Sequence, residues 1–453
     1  MPLLSRRTAL ALLAAPLLLG AALVWAQSAA APAAAPRWFK GNLHTHSLWS
    51  DGDDYPEMIA DWYKQHGYHF LALSDHNVIQ EGHRWFDLKP PVSLAGEVVE
   101  RGGGEVLRKY LARFGPDWVQ LRESAGKKEV RLKPLPEYRS LFEEPGRFLM
   151  VPSEEITSNW IKPKTDTLPE RRGPVHINVT NPRDFIAPTP ADNAVEIMQK
   201  TVDAVIAQRE RTGQPMFAHI NHPNFVWGIT AEELMQVKGE KFFEVYNGHP
   251  RVNNEGDATR LSTDVMWDVL LTKRLTELGL GLMYGIGVDD SHHYHKQAIG
   301  QSNSGRGWVM VRAKHLTAES IIAAMEAGDF YASSGVTLRD VQRGSGRLAV
   351  EIEPEAGVNY TIQFIGTRRQ YDARSEVMAP PAGEKRITLP HRRYSQDVGA
   401  VLAEVKGTRA EYKLKGDEIY VRARIVSSKP KVNGSIEKEF ETAWTQPLVN
   451  EAK

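Results

Sequence analysis

The sequence predicts an α/β barrel followed by a small all-β domain, and three observations carry that prediction. Seven short apolar runs alternate with helical stretches between Trp38 and about Gly335, the texture of buried parallel strands covered by helices. Residues able to bind cations follow the ends of these runs, where a barrel keeps its chemistry. From about Val336 the pattern changes to apolar–polar alternation, as in antiparallel strands.

Taken in order, the chain opens with Ser5-Arg6-Arg7, an apolar run from Leu10 to Val24, and Val24-Trp25-Ala26. A basic start, apolar middle and small-residue exit predict an export signal peptide over 1–26, cleaved after Ala26. Its paired arginines resemble a twin-arginine signal, which predicts a periplasmic protein. An uncleaved anchor is the competing reading; Pro16, Gly20 and the Ala/Pro linker over 27–37 weigh against it, so no membrane attachment is expected after cleavage.

The barrel is expected over 38–335. Its strands are Phe39–Leu43, His69–Leu73, Phe148–Pro152, Val175–Val179, Met216–Ile220, Phe242–Tyr246 and Leu280–Val288. Helices are expected at Tyr55–His66, Asn193–Arg211, Ala231–Val237, Asp257–Leu278 and Thr317–Ala327. The connection over 80–147 is too long for a plain crossover and predicts a lid insertion. Over 336–453, strands are expected at Arg347–Ile352, Tyr360–Ile365, Arg386–Leu389 and Glu418–Val426, in a sandwich-like domain. In the last of these the apolar residues fall on one face and Tyr420, Arg422 and Arg424 on the other.

Composition narrows the chemistry. The 453 residues suffice for a large domain and a smaller one. Lys plus Arg (56) balances Asp plus Glu (56), so no net field favours nucleic acid, and no stable nucleic-acid complex is expected. With no cysteine, disulfides, thiolate metal sites and a Cys nucleophile are all excluded. A metal site must then use His, Asp and Glu, a donor set suited to Zn, Mn or Fe.

Fifteen histidines make the placement of each one informative. His44 and His46 share a strand face, so both can reach one ion. Alone the spacing is weak, since roughly half a chance occurrence of His-x-His is expected at this composition. Its force comes from recurrence at successive strand ends. Asp51 stands in Ser50-Asp51-Gly52, and Asp75 and His76 in Ser74-Asp75-His76. Glu154 and Glu155 follow Pro152, and His176 lies in Pro174-Val175-His176. His219 and His222 stand in His219-Ile220-Asn221-His222-Pro223, and Asp290 and His292 in Asp289-Asp290-Ser291-His292.

The order His-x-His, Asp-Gly, Ser-Asp-His, Pro-x-x-Glu, His, Asn-His-Pro, Asp-Asp-x-His resembles the PHP (polymerase and histidinol phosphatase) domain, over about Phe39 to Gly335. The resemblance implies a distorted seven-stranded barrel holding two or three metal ions at the strand C-termini. It also implies the ligands His44, His46, Asp51, His76, Glu155, His176, His222, Asp290 and His292. Gly328-Asp329-Phe330-Tyr331-Ala332-Ser333-Ser334-Gly335 and Ala443-Trp444-Thr445-Gln446-Pro447 resemble an exported branch related to carbaryl hydrolases.

Nine ligands suit a cluster of bridged ions that lowers the pKa of water held between them. Asp75 points away from its ligand neighbour and reads as an orienter or proton acceptor. It reads almost equally well as a turn or cap residue. His219 reads as a substrate contact or acid to the leaving group, or as a packed core histidine. Asp51 could serve only the turn before Gly52, and His176 and His222 could be core histidines bonded to carbonyls. His249 attracts no functional assignment.

The resemblance implies a metal-dependent phosphoesterase acting on small phosphoesters or nucleotides. The same cluster could attack a carbamate, amide or ester, and fold does not settle reaction. A third reading is a non-catalytic protein that retains metal. In each case the expected partner is a small molecule.

Overall fold

Two sheets carry the region before Gly335. In one, the order is Leu149–Val151, Phe70–Ala72, Arg37–Asn42, Trp308–Ala313 and Phe330–Ser333. In the other it is Ser153–Lys162, Arg171–Thr180, Phe217–Ile220, Phe242–Asn247 and Tyr284–Val288. The computed structural model describes residues 35–88, 92–94, 97–99, 101–162, 171–379 and 390–451. The signal segment, most of the Ala/Pro linker and the expected strand Arg386–Leu389 lie outside the described residues.

The apolar runs do form buried strands. Phe70–Ala72 pairs in parallel with Arg37–Asn42 and Leu149–Val151. Phe242–Asn247 pairs in parallel with Phe217–Ile220 and Tyr284–Val288, and these three strands are buried throughout. The closed ring of seven parallel strand–helix units does not form, which corrects the barrel expectation. Ser153–Lys162 and Arg171–Thr180 make an antiparallel hairpin, and Arg171–Thr180 is also antiparallel to Phe217–Ile220. Arg37–Asn42 pairs antiparallel with Trp308–Ala313.

Among the described residues the ladders of the two sheets are joined by isolated bridges, Thr45 with Ser291 and His76 with Glu155, while their faces share a core that includes Phe39, Phe70, Phe242 and Ile286. Both breaks have local causes. Pro152 separates Leu149–Val151 from Ser153–Lys162 and has no N–H for a ladder. Asp290 adopts a left-handed backbone (φ 50°), which ends regular pairing after Tyr284–Val288.

Helix Ala194–Thr212 covers the hairpin side. It starts where the Asn193 side chain accepts from Glu196 N and stops at left-handed Gly213. Helix Thr263–Lys273 packs against Phe242–Asn247 on one side and against Tyr360–Arg368 and Glu418–Pro430 on the other. Covered twice, it is buried nearly all round.

The first sheet continues past Gly335. Phe440–Thr445 pairs with Phe330–Ser333 and with Glu418–Pro430, which pairs in turn with Tyr360–Arg368. A three-stranded sheet of Leu338–Gly344, Arg347–Ile352 and Arg409–Lys413 shares with these strands a core that includes Leu348, Val350, Ile362, Phe364 and Ile425. The Tyr420/Arg422 face, read from sequence as the polar one, is buried against helix Thr263–Lys273. Arg422 pairs there with Asp268 (Nη2–Oδ2 2.5 Å) and Asp264 (Nη1–Oδ1 2.9 Å). Residues Pro36–Lys453 accordingly form one compact unit.

The insertion over 80–147 holds strands Arg84–Asp87, Lys127–Leu132 and Leu121–Ser124 and helix Gly104–Phe114. Its Val106, Tyr110, Val130 and Leu132 pack on Leu48, Trp49 and Tyr55, bracing the turn after the first strand. Among the described residues no helix is long and apolar enough to cross a membrane.

Candidate metal centre

His44 and His46 follow the first strand, and backbone bonds fix where they stand. His46 N donates to Ser291 O and Asp290 N donates to His44 O, both at 2.9 Å. The segment carrying His44 and His46 is thereby tied to the segment carrying Asp290 and His292. Gly52 closes the following turn, where an added Cβ would lie 2.5 Å from His46 O, so the turn requires glycine.

The Nε2 atoms of His44 and His46 are 3.1 Å apart. They lie 3.4 and 3.2 Å from Glu155 Oε2, and each lies 3.3 Å from Asp290 Oδ1. Glu155 is the hub. Its Oε2 is 2.8 Å from His76 Nδ1, and its Oε1 is 3.0 Å from His176 Nδ1 and 3.6 Å from His222 Nε2. Asn221 Nδ2 donates to Oε1 at 2.7 Å and steadies the carboxylate. Asp51 forms the outer wall, 3.3 Å from His292 Nε2, 3.5 Å from His76 Nε2 and 3.6 Å from His46 Nδ1. The Asp51 side chain is 52% exposed whereas those of His44, His46 and Glu155 are fully buried, so the centre opens to solvent on that side.

All nine residues named as ligands from the sequence therefore meet in one place. They fall into overlapping groups whose donor atoms lie within 4.8 Å of one another: His46, Asp51, His76 and His292; His44, His222 and Asp290; His44, His46 and Glu155; His76, Glu155 and His176. A further group joins His44 to His219 and Glu244.

These donors fit divalent ions. Glu155 Oε2 and His176 Nδ1 are buried without a hydrogen bond, although other donor atoms crowd both. Lone pairs converging without hydrogen-bond geometry are what cation ligands present. As protein groups alone their charges conflict. Burial lowers His44, but the Asp290, Glu244 and Glu155 carboxylates outweigh it and hold the imidazole well above its ordinary range. His46 is pushed down to about 4 by burial and by the neighbouring His292 and His76. Burial alone would raise Glu155, yet His76, His44 and His176 hold it well below the usual carboxylate range.

Glu244 was not singled out from the sequence. Its Oε1 is 2.6 Å from His44 Nδ1, while its Oε2 accepts from His222 N (2.7 Å) and Asn247 Nδ2 (2.8 Å). Donation from Nδ1 to this carboxylate leaves His44 Nε2 as the free donor atom aimed at the cluster. The available sign was a carboxylate inside the apolar run Phe242-Phe243-Glu244-Val245-Tyr246. Asn247 also donates to Asp290 Oδ2 at 3.1 Å.

Asp75 and His219 stand apart from the nine. Asp75 accepts from Ser47 N (2.8 Å), Ser47 Oγ (2.8 Å), Ser50 Oγ (2.6 Å) and Gln80 Nε2 (2.7 Å), and so holds the turn that carries Asp51. His219 is fully buried behind His44, with its Nε2 3.3 Å from Glu244 Oε1. Asp289 turns away and accepts from the backbone N–H groups of Gly305, Arg306 and Gly307.

No protein-family model matches the chain, and no curated protein does. Among solved structures it is similar to a two-domain protein from Bacteroides vulgatus containing a predicted PHP-like metal-dependent phosphoesterase. The identity is 13%, over 91% of this chain and 96% of that one, with a TM-score of 0.34.

Proposed function

We propose that this chain is a metal-dependent hydrolase whose substrates are small phosphoesters, with two or three divalent Zn, Mn or Fe ions held by the nine ligands. The observation that carries the reading is the convergence of six imidazoles, those of His44, His46, His76, His176, His222 and His292, on the carboxylates of Glu155 and Asp290. Divalent ions in such a site supply Lewis acidity, activating water and polarising an ester oxygen.

The chain's own groups do the rest. Glu155 would hold metal through both oxygens, since they face different histidines. Glu244 and Asn247 orient His44 and Asp290, and Asn221 orients Glu155. In this reading Asp75 works at one remove by fixing the Ser47–Asp51 turn. His219 lies on the closed side, where it positions Glu244 rather than meeting substrate. Among the described residues the centre opens at Asp51, His76 and His292, and in this reading an ester enters from that side. A carbamate or carboxylic ester hydrolase, as in the carbaryl-hydrolase relatives suggested by the sequence, is the second reading. Phe225, half-buried with its ring centroid 4.9 Å from that of His222, gives it an apolar contact. Export through cleavage after Ala26 belongs to the same proposal, and the mass of the mature N-terminus tests it.

Purified protein is expected to carry two or three Zn, Mn or Fe ions per chain by elemental analysis. His44→Ala combined with His46→Ala should remove metal and activity together. A panel of p-nitrophenyl phosphate, acetate and carbamate substrates decides the bond attacked. Turnover of carboxylic or carbamic esters alone refutes the phosphoesterase assignment, and full activity after complete chelation refutes metal dependence.

A further inference from the structure

We propose that His249 and Arg251 form an anion subsite beside the metal centre, selecting substrates that carry a terminal dianionic phosphoryl group. This deepens the hydrolase reading and rests on it for the identity of the reaction, but the subsite itself stands on separate residues.

The argument begins with the loop after His222. Val226 and Trp227 both adopt left-handed backbone, with φ of 46° and 61°. That conformation is rare for a β-branched residue and for two consecutive non-glycine residues. Such strain persists only where the surroundings impose it. Here Asn224 imposes it, donating to Asn253 O and Leu261 O (2.9 Å each), while Asn253 Nδ2 donates back to Asn224 O at 3.1 Å. A bridge between Phe225 and Val252 adds a further tie. The loop following a metal ligand is therefore locked to the segment 249–254.

The lock brings three side chains to the rim. The Phe225 ring lies 4.9 Å from His222 and 5.5 Å from His249, and His249 lies 5.5 Å from His292. Arg251 spreads its guanidinium over Phe225, 5.1 Å from the ring centroid. Stacking of this kind orients a planar cation without using its N–H donors. Among the described residues Arg251 meets no carboxylate within ion-pair distance, whereas many other arginines of the chain do. His249 supplies a second donor. Its Nδ1 accepts from Arg251 N at 3.1 Å, which places the ring proton on Nε2. A guanidinium fork and an imidazole N–H next to a cation site match the unreacted oxygens of a phosphoryl group. They offer nothing specific to a neutral carbamate.

The test uses the metal-loaded full chain, with inorganic phosphate as the calorimetric probe and p-nitrophenyl phosphate and acetate as substrates. Arg251→Gln is expected to weaken phosphate binding by about tenfold to a hundredfold while metal content stays constant. The ratio of phosphate-ester to acetate-ester turnover should fall in parallel. Arg251→Lys should recover part of the affinity, because charge returns without the fork. His249→Ala should weaken phosphate binding in the same direction. Unchanged phosphate affinity in Arg251→Gln, or no phosphate binding by the wild-type chain, overturns the subsite. Turnover of phosphate esters that ignores Arg251 removes the subsite and keeps the hydrolase. Arg251-dependent phosphate binding without turnover of any ester keeps the subsite and removes the hydrolase.

Discussion

At the scale of single residues, the centre depends on second partners as much as on ligands. His44 can aim Nε2 at the cluster only while Nδ1 carries its proton toward Glu244. Glu244→Gln can present an amide N–H there instead, and it weakens the hold on His222 N. The expected result is a loss of metal affinity on the order of 10–100-fold, measured by chelator competition, with the far-ultraviolet circular dichroism of the wild type. Wild-type affinity in the variant would mean that His44 needs no orienting partner. The candidate ligands were legible because each stands in a short local motif in or beyond an apolar run. Glu244 was not, because one carboxylate in an apolar strand has no spacing to betray it; only the fold places it beside His44. His249 was passed over for the same reason. It becomes notable when the Asn224–Asn253 tie brings it to the rim.

At the scale of elements, apolar runs marked the parallel strands well and the polar strands badly. Ser153–Lys162 reads Ser-Glu-Glu-Ile-Thr-Ser-Asn-Trp-Ile-Lys, which resembles a loop, although Glu155 lies in the candidate metal centre and Glu154 is buried, accepting from Ile186 N at 2.9 Å. Glu155 was therefore seen as following a strand when it lies inside one. Helix Thr263–Lys273 was legible as a helix, but the sequence did not show that a second sheet covers it. The buried Arg422 with Asp268 and Asp264 records that contact. A guanidinium in such a place is tolerated only while its carboxylates remain. Asp268→Ala is expected to cost about 3–5 kcal/mol in urea-induced unfolding, while Arg424→Ala, at the half-exposed end of the same network, should cost much less. Equal effects from the two would show that burial of the pair does not set its worth.

At the scale of the whole molecule, the change of texture at Val336 marked a change of strand type rather than the end of a sheet. Periodicity cannot tell these apart, since it reports which face is wet and not which strand pairs with which. Phe330–Ser333 needs Phe440–Thr445 on its outer edge, and helix Thr263–Lys273 needs Glu418–Pro430 on its outer face. A chain ended at Gly335 leaves that strand edge unpaired, and unpaired edges promote association. It also leaves Trp267, Asp264 and Asp268 uncovered. Such a chain is expected to aggregate on expression even with metal supplied. The full chain should unfold in one transition, with tryptophan fluorescence and circular dichroism superimposing. Chelation should lower that single midpoint, because ions bound to the folded state stabilise it by mass action. Since the candidate ligands come from both sheets, bound metal would act as a fastener across the two ladder breaks. Two separated transitions, with only the earlier one sensitive to chelator, would show instead that the C-terminal strands fold independently of the sheet they extend.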